Sequence, residues 1–121
     1  MSGKLLFVFQ TGPENRYNVL WGLRMAKNTW IHPYGDARLE SVKVLLFGRG
    51  VSLLNPKLPE SPEYEESILE LVDAGVEVSA CISIAEPQGL VGEAENLGVR
   101  LVHASQYLID RVNEGYTIMN F

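Results

Sequence analysis

Leu5-Leu6-Phe7-Val8-Phe9 is an unbroken run of five large apolar residues, and it constrains the fold of this chain more than any other feature. A strand with one wet face alternates apolar and polar residues, because successive side chains point to opposite sides. An unbroken run needs cover on both faces, as for strands of a parallel sheet packed between helices. The run closes at Gln10-Thr11-Gly12-Pro13. Beyond it the period changes. Val19, Leu20, Leu23, Ala26 and Trp30 recur at helical spacing, which predicts a helix over Glu14–Asn28. Thr11 and Glu14 have the spacing of a capping box ahead of that helix, and Gly22 within it suits close approach to a sheet.

The alternation continues along the chain. Thr29–Ala37, with His32-Pro33 and Gly35-Asp36, reads as a connecting loop, and His32 as a plain loop residue. Val42–Phe47 is a second strand, ending in Gly48-Arg49-Gly50-Val51. Pro56 and Pro59 make Ser52–Glu60 an irregular or only briefly helical segment, and the expected mobile loop of the chain. Ser61-Pro62-Glu63 combines a cap, a proline at the first helical position and an acid in the first turn. Tyr64, Ile68, Leu71 and Val72 form the apolar stripe of that helix. Val76–Ala80 is a third strand, with Cys81 at or just beyond its end.

Pro87 breaks the helical region Ala85–Leu97, because proline fits only near a helix start, and Gly98 closes it. Val99–Val102 is a fourth strand. Ser105–Glu114 is a helix with Tyr107, Leu108 and Val112 on its inner side, and Tyr116–Met119 leads into Phe121 as a last strand. The order βαβαβαβαβ predicts an α/β fold: a mostly parallel five-stranded sheet with helices on both faces and right-handed crossovers. At 121 residues there is room for one core, so residues 1–121 read as a single domain.

Composition narrows the function. Ten basic and fifteen acidic residues leave a charge of -5, with no basic run of three. That balance does not suit a nucleic-acid scaffold, which neutralises phosphates with a basic stripe. One cysteine allows no internal disulfide and no dithiol pair, as expected in a reducing compartment. Met1-Ser2-Gly3-Lys4 leads into only five apolar residues. That is too short for a signal peptide or for a membrane span of about 20 residues, so the expectation is a cytoplasmic protein without membrane contact. Apolar residues reach 46% against 21% charged. Tyr17, Trp21, Trp30, Tyr34, Leu53 and Leu54, all outside the strands, are more than one small monomer needs, which points to a homo-oligomer.

In an open parallel sheet, ligands and reactive groups gather beyond the carboxyl ends of the strands. Four segments meet there in this reading: Gln10–Pro13, Phe47–Val51, Cys81–Pro87 and Val102–Ser105. Cys81 alone among them is intrinsically nucleophilic. A turn and helix start after it would aim N–H groups at its sulfur and favour the thiolate; the plainer reading is a small buried hydrophobe. An anion cradle of the phosphatase or rhodanese kind wants an arginine six residues after the cysteine, where this chain has Pro87. His103 also follows a strand and is the one histidine in a position to form a dyad with Cys81. Gly48-Arg49-Gly50 makes neither a Gly-x-Gly-x-x-Gly nor a Gly-Lys-Ser/Thr signature. These glycines read as a tight turn where backbone passes near Cys81 or a neighbouring subunit, with Arg49 as a source of positive charge. Two separated histidines and one cysteine give no metal-ligand spacing, so neither metal nor cofactor is expected. Glu63, Glu65, Glu66 and Glu70 read as the solvated side of a helix.

Taken together, Leu5–Phe9 with Thr11-Gly12-Pro13, Val44–Val51, Leu71–Cys81 and Glu114–Phe121 resemble the DsrE/DsrF-like family over nearly the whole chain. This family includes sulfur-relay subunits of the dissimilatory sulfite reductase and transfer-RNA thiolation systems, and many small uncharacterised proteins. The resemblance implies a flavodoxin-like arrangement assembled as trimers or hexamers. It also implies that the cysteine after the Ala-Gly-Val turn, here Cys81, accepts sulfane sulfur as a persulfide and hands it to a partner protein. Such a transfer needs an accessible thiolate and no metal or nucleotide.

The segment after the cysteine departs from the relay pattern, which often ends in Arg-Gly. Here it reads Ile82-Ser83-Ile84-Ala85-Glu86-Pro87-Gln88-Gly89-Leu90, and a carboxylate near a thiol opposes thiolate formation. Two readings therefore stand side by side. The first is a persulfide carrier acting through Cys81, with Thr11, Gly12, Gly48, Arg49, Gly50, Ser83 and His103 as candidate pocket residues and a sulfur donor or acceptor protein as partner. The second is a non-catalytic homo-oligomeric structural, regulatory or small-ligand-binding protein of the same fold. A flavin or nucleotide binder is a third, opposed by the missing phosphate-loop signature.

Overall fold

The computed structural model of the protein describes residues 3–31, 35 and 37–121, and strand and helix alternate in it as the patterning predicts. The elements are β1 (Lys4–Phe9), a 3-10 turn (Pro13–Asn15), α1 (Arg16–Ile31), β2 (Ser41–Leu46), a 3-10 helix (Gly48–Leu54), α2 (Ser61–Asp73), β3 (Glu77–Cys81), α3 (Ile82–Ala85), α4 (Val91–Leu97), β4 (Arg100–Val102), α5 (Ala104–Asn113) and β5 (Thr117–Asn120). The strands lie in the order β4-β3-β2-β1-β5, and all four pairings are parallel.

Crossover handedness decides which face each helix covers. From β1 to β4 the chain steps one strand at a time in the same direction. Right-handed crossovers therefore put α1, α2 and α4 together on one face. The connection from β4 to β5 returns across the whole sheet, so the same handedness sends α5 to the other face. On the first face Phe7, Phe9, Val44, Leu46, Val78 and Ala80 pack against Val19, Leu23, Ala26, Tyr64, Ile68 and Leu71. On the second, Leu6, Val8 and Leu45 meet Tyr107 and Tyr116. Burying an aliphatic or aromatic side chain of this size contributes roughly 1.5–3 kcal/mol, and the core is much the thicker on the α1 side. The flavodoxin-like arrangement of a parallel sheet between helices is thus the observed one. No helix among the described residues is long and apolar enough to cross a membrane.

Gly22 does what the sequence suggests. A Cβ there would lie 2.6 Å from the Phe9 ring and 2.8 Å from that of Phe121, so the helix sits directly on the aromatic edge of the sheet. Other local details differ. Thr11 does not cap α1, because Pro13 opens a 3-10 turn first and moves the helix start to Arg16. Asn15 takes over: its Oδ1 accepts from the Asn18 N–H at 3.3 Å, while the Thr11 hydroxyl accepts from the Asn18 side-chain amide. In α2 the cap position falls on Glu60, and the Ser61 hydroxyl instead donates to the Pro56 carbonyl at 3.1 Å.

Ser52–Glu60 is helical only at its start. Its first part belongs to the Gly48–Leu54 3-10 helix, and Val51, Leu53 and Leu54 are buried in the main core. Leu53 and Leu54 are therefore not spare surface for a subunit interface. Trp30 is also used within the chain, with its indole N–H donating to the Ala74 carbonyl at 2.9 Å. Tyr17 and Trp21 are exposed. Val112, expected on the inner side of α5, is exposed as well, and Ala104 and Tyr107 are the buried residues of that helix. His32 and Tyr34 lie outside the described residues.

Candidate functional site

Because every strand runs the same way, all five carboxyl ends open on one edge. The strand order reverses between β1 and β5, the position where open α/β sheets characteristically receive ligands. Here that crevice is filled by Phe121. Its ring stacks on Phe9 and Phe7, with centroids 5.2 and 5.7 Å away. Its carbonyl accepts from the N–H groups of Gln10 and Thr11 at 2.8 and 3.2 Å. The Gly12 N–H donates to the Glu14 carboxylate at 3.0 Å. Three consecutive donors of the loop after β1, the groups that would cradle a phosphate in a nucleotide-binding fold, are thus engaged within the chain.

The glycines after β2 make a tight turn and a close backbone approach, as their position suggested. A Cβ on Gly12 would overlap the Arg49 carbonyl, and one on Gly50 would overlap the Phe9 carbonyl. The loops after β1 and β2 are pressed backbone to backbone, which only glycine permits at such separations. Gly48, at φ +58, makes the turn into the 3-10 helix. Thr11, Gly12, Gly48, Arg49 and Gly50 therefore belong to one loop contact at the carboxyl edge.

Cys81 is the last residue of β3, paired with Val102 of β4, and α3 begins at the next residue. It is 5% exposed and belongs to the main apolar cluster. The 3-10 helix Gly48–Leu54 packs on β3 and α3 to one side of it. On the other side His103 follows Val102 and is exposed, as are Ser83 and Arg49. Among the described residues no hydrogen bond joins Cys81 to His103, Ser83 or Arg49, and no group of His, Cys, Asp and Glu has the arrangement to hold a metal ion. The edge thus presents a recessed thiol in apolar surroundings, framed by the loops after β2 and β4.

A polar cluster that the sequence reading missed lies under α5. The Glu77 carboxylate accepts from Lys43 and Arg100, both at 2.8 Å, and from the Tyr107 hydroxyl at 3.2 Å. Burial pushes the Glu77 carboxyl up, but the hydrogen bonds and charges of Lys43 and Arg100 outweigh it and hold the group below its ordinary value. Burial, aided by the Glu77 charge, pushes the Tyr107 hydroxyl up to about 12. Ser79 follows Glu77 on the same sheet face and is fully buried. A signal was present in the sequence: Lys43 and Glu77 are single charges inside otherwise uncharged strands, and the register makes them neighbours.

Comparisons with known proteins agree on the fold. The model of the DsrE/DsrF-like family matches residues 3–121. A conserved protein of unknown function from Bacteroides thetaiotaomicron superposes with a TM-score of 0.75 at 21% identity, covering 98% of this chain and 94% of that one. A protein of unknown function from Methanobacterium thermoautotrophicum gives 0.73 at 22% identity over 99% and 100% of the two chains. The ychN protein from E. coli gives 0.68 at 13% identity over the full length of both. No curated protein matches in sequence.

Proposed function

Because the chain belongs to the DsrE/DsrF-like family, we propose that it is a sulfur-relay protein that carries sulfane sulfur as a persulfide on Cys81. The observation behind this reading is the position of Cys81, which ends a central strand at the carboxyl edge and is followed at once by α3. The Cys81 thiolate attacks the outer sulfur of a donor persulfide. A new S–S bond forms on Cys81, the donor's S–S bond breaks, and the donor leaves as its thiolate. An acceptor thiolate then attacks the outer sulfur in turn, and Cys81 is the leaving group. No metal or nucleotide enters either step. Arg49 and His103 are exposed on the loops to either side of the strand end. With the thiol 5% exposed, this reading requires the cover over the strand end to open before a donor reaches it. A lone thiol stays reduced in the cytoplasm, which is where this chemistry belongs.

The burial of Cys81 favours a second reading, in which the residue is a core hydrophobe and the protein is a homo-oligomeric structural, regulatory or small-ligand-binding member of the family. Assembly with further copies belongs to both readings. It is supported by Ile109 and Val112, large apolar residues about half exposed on α5.

Intact-mass measurement separates the two. After incubation with a sulfane-sulfur donor at neutral pH, the wild type is expected to gain the mass of one sulfur atom, and Cys81→Ala to gain none. Slow alkylation of Cys81, together with no cysteine-dependent gain across several donors, leaves the second reading standing.

A further inference from the structure

Three elements close round the end of the strand that carries Cys81. On one side are the 3-10 helix Gly48–Leu54 and α3; on the other the chain leaves β4 and enters α5. The first two are firmly seated: Val51 and Ala85 have no exposed surface, and Leu53 and Leu54 are buried in the main core. α5 is seated differently. Its first residue, Ala104, belongs to the same apolar cluster as Cys81 and comes two residues after Val102, the register partner of Cys81. Beyond Ala104 the helix lies on the thin second core, where it buries Tyr107 and part of Leu108, while Ile109 and Val112 are half exposed.

Few bonds hold α5 down. α1 packs on β1 and β2, α2 on β3 and on α1, and α4 on α2 and β4, whereas α5 makes no comparably broad contact with any element among the described residues. The Gln106–Asp110 and Arg111–Glu114 hydrogen bonds stay within its own segment, and the Arg111 guanidinium lies over the Tyr107 ring, 4.7 Å from its centre. Among the described residues, Tyr107 is the one side chain of α5 hydrogen-bonded to a strand, donating to the Glu77 carboxylate at 3.2 Å. A second tie, from the Lys4 ammonium to the Glu114 carbonyl at 2.9 Å, lies beyond the last turn. Tyr107 also closes the first turn, its N–H donating to the His103 carbonyl at 2.9 Å. Its hydroxyl can leave without stranding a buried charge, because Glu77 keeps Lys43 and Arg100. Segments with little buried apolar surface and few tertiary bonds are the ones that open locally while the rest of a protein stays folded.

We propose that α5 is the moving part of the cover over Cys81: its first turn opens from His103 while the sheet stays closed, and the Tyr107–Glu77 hydrogen bond is the latch. The purpose of the opening rests on the sulfur-carrier reading, in which a recessed thiol must still meet its donor; the opening itself does not. A thiol reagent too slow to outpace reclosing reports the equilibrium between closed and open forms.

Alkylation of Cys81 by iodoacetamide, read by intact mass at rising sub-denaturing urea, tests this together with amide hydrogen exchange of the full chain, in the wild type and in Tyr107→Phe. Wild-type alkylation should depend on urea far less than global unfolding does, because opening one turn exposes little surface. The amides of α5 should exchange faster than those of α1 and α2. Tyr107→Phe keeps the ring and removes the latch, so alkylation and α5 exchange should both rise at least about tenfold, with local exchange of residues 48–54 and 82–90 unmoved. Alkylation unchanged by the substitution, the result of entry past α3 or the 3-10 helix, overturns the proposal. So does a urea dependence equal to that of global unfolding, or α5 amides as protected as those of β2. Should Tyr107→Phe fail to fold, these last two measurements on the wild type decide. Iodoacetamide needs only a thiol, so the outcome is separate from that of the mass-gain experiment with sulfur donors.

Discussion

Gly50→Ala is expected to destabilise the protein by about 3 kcal/mol, at the upper end of what overpacking usually costs, and a large share of the roughly 5–15 kcal/mol that keeps a domain folded. The reason is specific to the place. An alanine Cβ at this position overlaps the Phe9 carbonyl and lies 3.3 Å from that of Thr11. These are backbone atoms of a central strand and its loop, so no side chain can swing away. The strand would have to separate from the loop after β2, which breaks the hydrogen bond from the Phe47 N–H to the Phe9 carbonyl, now 3.0 Å long. Gly92→Ala is the matched control. Gly92 lies in α4 with open space around its missing Cβ, so alanine there should gain about 0.5 kcal/mol by restricting the unfolded chain. Urea denaturation of the two variants beside the wild type measures both. A Gly50→Ala midpoint equal to that of the wild type would show that the two loops do not interlock.

Glu77→Gln is the second large effect, expected to cost about 2 kcal/mol at neutral pH by weakening hydrogen bonds to charged partners. The amide keeps the shape of the side chain but leaves the half-buried Lys43 ammonium facing a neutral group, with Arg100 and Tyr107 losing the same acceptor charge. The pH dependence has a definite sign. The folded-state pKa of Glu77 lies below its ordinary value, so the folded protein holds fewer protons on this group than the unfolded chain does. Its contribution is complete above the ordinary glutamate pKa of about 4.3 and is lost as pH falls through the lowered folded value. The stability gap between wild type and Glu77→Gln should therefore be flat from pH 7 to about pH 5 and should close below about pH 4. A gap constant into that acid range would mean that the carboxylate charge contributes nothing.

The site divides in the same way between what could be read along the chain and what could not. Cys81 was placed correctly as a strand-end residue because the run Val76–Ala80 and the turn before it mark β3 unambiguously. Its burial was not readable, since that depends on how the 3-10 helix and α3 close around the strand end. The glycines after β2 were visible, but their partner was not. The loop they press against lies some forty residues earlier, and no local signal relates the two. Leu53 and Leu54 followed the same course: surrounded by turn-forming residues they look like loop surface, yet the 3-10 helix turns them into the core.

By itself, the amino-acid sequence determined the elements and the class of fold. Unbroken apolar runs separated by helical periods admit little besides a parallel sheet covered on both faces, because period and polarity are local properties fixed by backbone geometry. Tertiary structure alone decided the strand order and the register. From those follow the joining of Lys43, Glu77, Arg100 and Tyr107, the filling of the β1–β5 crevice by Phe121, and the exposure of the Tyr17–Trp21–Met25 stripe. Each depends on residues distant along the chain, whose proximity is set by the packing of the whole molecule rather than by any preference of the residues themselves. Leu5–Phe9 announces a buried strand wherever it occurs; which side chains meet above and below it is settled only when the sheet has closed.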